Sequence, residues 1–141
     1  MNDHTKDILA KVRQWVRFAD EDIRLARHGL DMEDAPFRLV AYHAQQCAEK
    51  YLKSYLVFLS VDFPYTHNIA RLLELCNEHG GSMEELRDAE ELTPYAITTR
   101  YPGEDEEVSK SEALTAVKVA QRARLTVRRK LRDMGFRTGA R

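Results

Sequence analysis

Long apolar runs are missing from this chain. The longest mainly apolar stretch, Tyr55–Val61 (YLVFLSV), is far too short to span a bilayer. The opening residues, MNDHTKDILAK, hold no apolar core of the kind a secretory signal needs, so a cytoplasmic location is expected. Glycine (6) and proline (4) are scarce among 141 residues, and no segment alternates apolar and polar side chains as a half-buried strand would. That excludes a strand-rich fold and leaves an all-α one. Only two cysteines occur, Cys47 and Cys76, both at helical apolar positions, so buried free thiols are expected rather than a disulfide or a zinc site. There is no glycine-rich phosphate loop, no nucleophile elbow and no carboxylate pair at catalytic spacing. No metal and no cofactor is implied.

What remains is a charged, helix-forming chain. Hydrophobic residues make up 43% and charged residues 32%, a balance that suits one folded domain with a real core. Helical periodicity predicts a first helix over about Thr5–Leu30, with Val12, Trp15, Val16, Ala19, Ile23, Ala26 and Leu30 inward and Gly29 at its end. A second is expected over Ala35–Leu59, opened by Asp34 as N-cap and Pro36 in the first turn. Its apolar positions from Phe37 to Leu59 lie within an arc of about 120°. A short third helix is expected over His67–Glu78. A fourth should start at Ser82, with Glu85 completing a capping box. The fifth should start at Ser109 or Ser111, carrying an alanine-rich stripe from Ala113 to Leu131. Residues 135–141 read as a frayed tail. The expected architecture is one all-α domain over residues 1–141, with its core in about 8–132. It is an antiparallel up-and-down bundle of four main helices plus a short extra one.

The net charge of −1 hides an asymmetry. Residues 1–83 sum to −2, residues 84–112 to −7 and residues 113–141 to +8. A basic last helix after an acidic segment either pairs with that segment or binds an acidic partner or nucleic acid. The overall pI near 6.5 argues against a dedicated nucleic-acid binder.

Three short stretches carry candidate chemistry. In the second helix Gln46, Glu49, Lys50 and Lys53 follow i, i+3, i+4, i+7 spacing, opposite the apolar arc. Glu49 before Lys53 is the favourable i, i+4 ion-pair order, so a solvated face accounts for them; one wall of a binding site is the alternative. Arg38 and His43 make an Arg-x4-His pair. Such a pair suits RNA cleavage: His moves a proton while Arg steadies phosphorane charge. Five residues turn a helix by about 140° net, however, so the two converge only if they come from different protomers of a dimer. In TTRYPG, Arg100 offers a fork for phosphate and Tyr101 a ring for stacking. His67 opens the third helix as a structural cap or a ligand contact.

Taken in order, AYHAQQCAEKYLKSYL, PYTHNIARLLELC, YAITTRYPGE and the alanine-rich helix resemble the HEPN family of small prokaryotic helical proteins. The match rests on Gln45, Gln46, Cys47, Glu49, Lys50, Leu52 and Lys53, then Thr66, His67 and Leu72, then Arg100, Tyr101 and Pro102. The resemblance implies a homodimeric bundle, often partnered by a minimal nucleotidyltransferase in a toxin–antitoxin pair. Some members bind nucleotides, and others are metal-independent RNases with Arg-x4–6-His in a late helix. Here no His follows Arg100, and Arg38–His43 lies in the second helix without a Tyr two residues beyond the His. The resemblance therefore favours nucleotide binding through Gln46, Glu49, Lys50, Lys53, His67, Arg100 and Tyr101. An RNase using Arg38 and His43 across a dimer, with RNA as ligand, and a non-catalytic dimeric interaction module are the alternatives.

Overall fold

Helix α1 (Asp3–Leu30) starts where Asn2 Oδ1 accepts the Thr5 amide at 2.8 Å. The computed structural model describes residues 2–97 and 107–138. Val12, Val16, Ala19, Ile23 and Ala26 of α1 are buried at the expected spacing. Gly29 lies inside the helix rather than ending it. A Cβ there would stand 2.7 Å from Val40 Cγ2, so its lack of a side chain lets α1 approach α2 closely. The α1 cap is Asp31 instead.

Helix α2 (Phe37–Phe58) has Pro36 at its cap and no side-chain cap hydrogen bond; Asp34, expected there, takes a positive φ of 52° in the preceding turn. α2 is the central element. α1, α4, α3 and the segment between α3 and α4 all pack on it. Helix α3 (Ile69–Gly80) is capped by Asn68, whose Oδ1 accepts the Arg71 amide. It ends where Tyr55 donates its hydroxyl to the Gly80 carbonyl at 2.8 Å.

The segment Glu84–Ala96 is helical but of the 3-10 kind. Its inward residues explain why: Leu86, Ala89 and Leu92 recur every three positions, which aligns them on a three-residue turn. The predicted Ser82–Glu85 capping box does not form. Met83 occupies the cap position, buried, with its amide on Asn77 Oδ1, and Ser82 Oγ accepts from Glu84.

Helix α4 (Lys110–Asp133) does begin with a capping box: Ser109 Oγ accepts the Glu112 amide at 3.0 Å, and Glu112 Oε1 accepts the Ser109 amide at 2.9 Å. Those bonds hold the Glu112 carboxyl below its usual pKa. The stripe Ala113, Ala116, Ala120 and Ala123 is buried, and its small side chains bring α4 close to α2. Phe136, expected in a frayed tail, is buried against Phe58. The basic face of α4 meets the acidic segment within the molecule, through Arg122–Asp88 and Arg129–Glu85. The result is an all-α, up-and-down bundle. Among the described residues there is no strand, and no helix is long and apolar enough to cross a membrane.

Candidate functional site

In the polar stripe of α2 Gln46, Glu49 and Lys53 are buried and Lys50 is half-buried, which overturns the expectation of a solvated face. Glu49 is 2% exposed and Lys53 5%. The cause is the central position of α2: the side opposite its apolar arc also meets other elements. Glu49 accepts from Lys53 Nζ at 2.9 Å through Oε2. Its Oε1 takes Gln45 Nε2 at 3.0 Å and His67 Nδ1 at 2.8 Å. A carboxylate only accepts, so His67 carries a proton on Nδ1. Gln46 Nε2 in turn donates to Gln45 Oε1 at 2.7 Å. Burial pushes the Glu49 carboxyl up, but the hydrogen bonds from Gln45, Lys53 and His67 outweigh it and leave its pKa below the ordinary value. Lys53 also sits within reach of three rings: its Nζ lies 5.5 Å from Trp15, 5.8 Å from Phe63 and 5.9 Å from Tyr65, measured to the centroids.

A second cluster repeats this arrangement between α1 and α2. Asp22 accepts His43 Nδ1 at 2.8 Å through Oδ1 and Lys50 Nζ at 2.6 Å through Oδ2. Each of the two carboxylates therefore bridges one histidine and one lysine. A third knot joins α1, α2 and α4: Asp20 accepts from Tyr51 Oη and from Arg124 Nε, the latter at 2.9 Å, with Arg128 Nη1 at 3.5 Å.

With this geometry in place, comparison with known proteins is decisive. The family model described as HEPN domain matches residues 12–130. The chain belongs to the HEPN family. Among solved structures it is similar to that described as TT1696 from Thermus thermophilus, at 28% identity and a TM-score of 0.74, covering 86% of this chain and 98% of that one. No match was found among curated proteins.

In this HEPN domain the sequence-predicted residues divide by exposure. Gln46, Glu49 and Lys53 form the interior of one cluster, and His67 its rim, with a side chain 45% exposed. Tyr65 stands edge-on to His67 at 5.7 Å between centroids and is 92% exposed. Lys50 belongs to the other cluster with His43. Arg38 is exposed in the first turn of α2, while His43 is turned onto α1. Arg100 and Tyr101 lie outside the described residues. Among the described residues no three His, Cys, Asp or Glu side chains converge as a metal site.

Sequence reasoning missed Asp20, Asp22 and Tyr65; Trp15, expected on the inward face of α1, is half-buried beside Lys53. Asp22 had a signal: it falls three residues after Ala19 and four before Ala26, on the inward arc of α1. Tyr65 had none, being one aromatic in an irregular loop. The thiols behave as expected. Cys47 and Cys76 are free and buried, and burial raises both pKa values, that of Cys76 to about 12. Native protein at pH 8 is accordingly expected to give no fast reaction with Ellman's reagent, while protein in denaturant releases two equivalents. A native burst would show an exposed thiol.

Proposed function

We propose that this HEPN domain binds a nucleotide or nucleotide-like ligand at the rim of the Glu49 cluster. It does so as a homodimer paired with a minimal nucleotidyltransferase, in a toxin–antitoxin-type system. The observation that carries this reading is the His67–Tyr65 pair. His67 is fixed through Nδ1 by a buried carboxylate, which leaves Nε2 directed away from that bond, and Tyr65 presents an open ring beside it. A fixed imidazole and an exposed ring suit one hydrogen bond to, and one stacking face for, a base. Lys50 and Lys53 each already pair with a carboxylate, so they shape the site more than they bind phosphate. Phosphate contact falls to Arg100, with Tyr101 beside it.

The test is a thermal-shift screen of nucleotides against wild type, Arg100→Ala and His67→Ala. A true ligand at a hundredfold excess over its dissociation constant stabilises the wild type by about 2.7 kcal/mol. Both variants should lose most of that gain. If no nucleotide shifts the wild type, the proposal fails.

A metal-independent RNase is the second reading, and Asp22 favours it. The Asp22 carboxylate fixes His43 through Nδ1 and leaves Nε2 for proton transfer. Arg38 would come from the partner protomer. RNA left intact by wild type in EDTA, under conditions where the protein is folded, removes this reading.

A further inference from the structure

α1 and α4 each pack chiefly on α2 and touch each other least. Between them lies a groove of about 1020 Å³, open to solvent. Ile23 of α1 and Leu125 of α4 supply its apolar contact, and Leu125 is 63% exposed. Its α1 wall carries Arg24, Arg27 and His28. Among the described residues none of these three has a carboxylate partner, although most cations near α2 do. The Asp20 carboxylate at the groove is already engaged by Arg124 and Arg128, and Asp31 at its far end makes no ion pair among the described residues, so Arg24 and Arg27 leave the groove with an excess of positive charge. Arg27 and His28 favour the C-terminal end of α1 electrostatically, but Arg24 lies outside that last turn.

Three features select an occupant. The excess of positive charge calls for an anionic one. The exposed leucine calls for apolar side chains alternating with that charge. The groove residues on α1, Asp20 to Asp31, span about 16 Å, close to three helical turns. Among the described residues no Phe, Tyr or Trp ring lines the groove, so a single-stranded nucleic acid would find only His28 and the arginine planes on which to stack. We propose that the α1–α4 groove docks an acidic amphipathic helix of a partner protein, its apolar residues on Ile23 and Leu125 and its carboxylates on Arg24 and Arg27. The proposal is independent of ligand binding at His67.

The probe is a fluorescein-labelled synthetic peptide of about four helical turns, with Leu at i, i+4, i+7 and i+11 and Glu flanking them. A peptide of the same composition with scrambled Leu positions is the control. Anisotropy titrations with the full chain should show saturable binding of the patterned peptide and weaker binding of the scrambled one. The exposed double variant Arg24→Glu/Arg27→Glu should weaken binding by roughly tenfold or more. It should instead gain affinity for the same peptide with Lys in place of Glu. Leu125→Asp should weaken the patterned peptide as well. Far-ultraviolet circular dichroism checks that each variant is folded. Equal binding of both peptides, or no change in the double variant, overturns the proposal. So does displacement of the peptide by oligouridylate or ATP at lower concentration, or self-association of the wild type that the double variant abolishes.

Discussion

Glu49→Ala is expected to destabilise the fold by about 3–5 kcal/mol, because it removes one partner of a buried ion pair. The Lys53 ammonium would then lie 5% exposed with no carboxylate, and the Gln45 amide and His67 Nδ1 would lose the oxygen they share. The three rings around Lys53 would soften this without replacing a carboxylate. Urea unfolding of single and double variants separates the effects. Glu49→Ala/Lys53→Met, which removes both charges and restores apolar volume, should be less destabilised than Glu49→Ala alone. A loss below about 1 kcal/mol for the single variant would mean that water reaches Lys53.

The same carboxylate gives stability a defined pH dependence. Its pKa is lower in the folded state than in the unfolded chain, so the unfolded state takes up a proton first as pH falls. Its contribution is complete above the unfolded carboxyl pKa, about 4.3, and is lost as pH drops through the lower folded value. Comparing wild type with Glu49→Gln over the acid range isolates this contribution: the gap between them should narrow below about pH 4.

How much of this was legible in the sequence depends on how each feature is encoded. The bundle was legible because apolar periodicity in α1, α2 and α4 is strong, and of the two serines expected to open α4 it is Ser109 that does so. Local signals failed where tertiary packing decided the outcome. Ser82 and Glu85 had the spacing of a capping box, but burying Met83 took the cap position from Ser82. Phe136 followed a glycine in a basic tail, yet Phe58 offered it a partner. The α2 stripe was the largest miss. A helical wheel shows which residues share a face but not whether a neighbour covers that face. Composition held a clue: α2 has four charged residues in 22, against 32% for the whole chain. A helix so poor in charge is one to expect at the centre, where Gln45, Gln46 and Ser54 need partners inside the protein. The pairing of Asp22 with His43 and Lys50 was not legible in spacing at all, since 21 and 28 residues separate them.

Asp20→Ala is expected to cost about 2–4 kcal/mol, less than Glu49→Ala because its arginine partners keep partial contact with water. Asp20 does more than one pairwise bond would. It is the α1 carboxylate on which Tyr51 of α2 and Arg124 and Arg128 of α4 converge. Burial raises the Tyr51 pKa, and the Asp20 carboxylate raises it further, so the phenol is a committed donor. Without Asp20, its hydroxyl keeps only the 3.4 Å contact with Arg128 Nη1, in which it accepts, and its own proton has no acceptor. Tyr51→Phe removes that donor together with its need for a partner and should cost only about 1 kcal/mol. The order Asp20→Ala, then Asp20→Asn, then Tyr51→Phe, from most to least destabilised, distinguishes a charge-centred knot from a simple hydroxyl bond. Because α1 and α4 meet least of all the packed pairs, the loss should also be local. Amide hydrogen exchange in Asp20→Ala should accelerate around Arg124–Arg128 before it does in the middle of α2. Uniform acceleration along both helices, or a cost within about 0.5 kcal/mol of wild type, would show that apolar packing alone fixes α4 against α1.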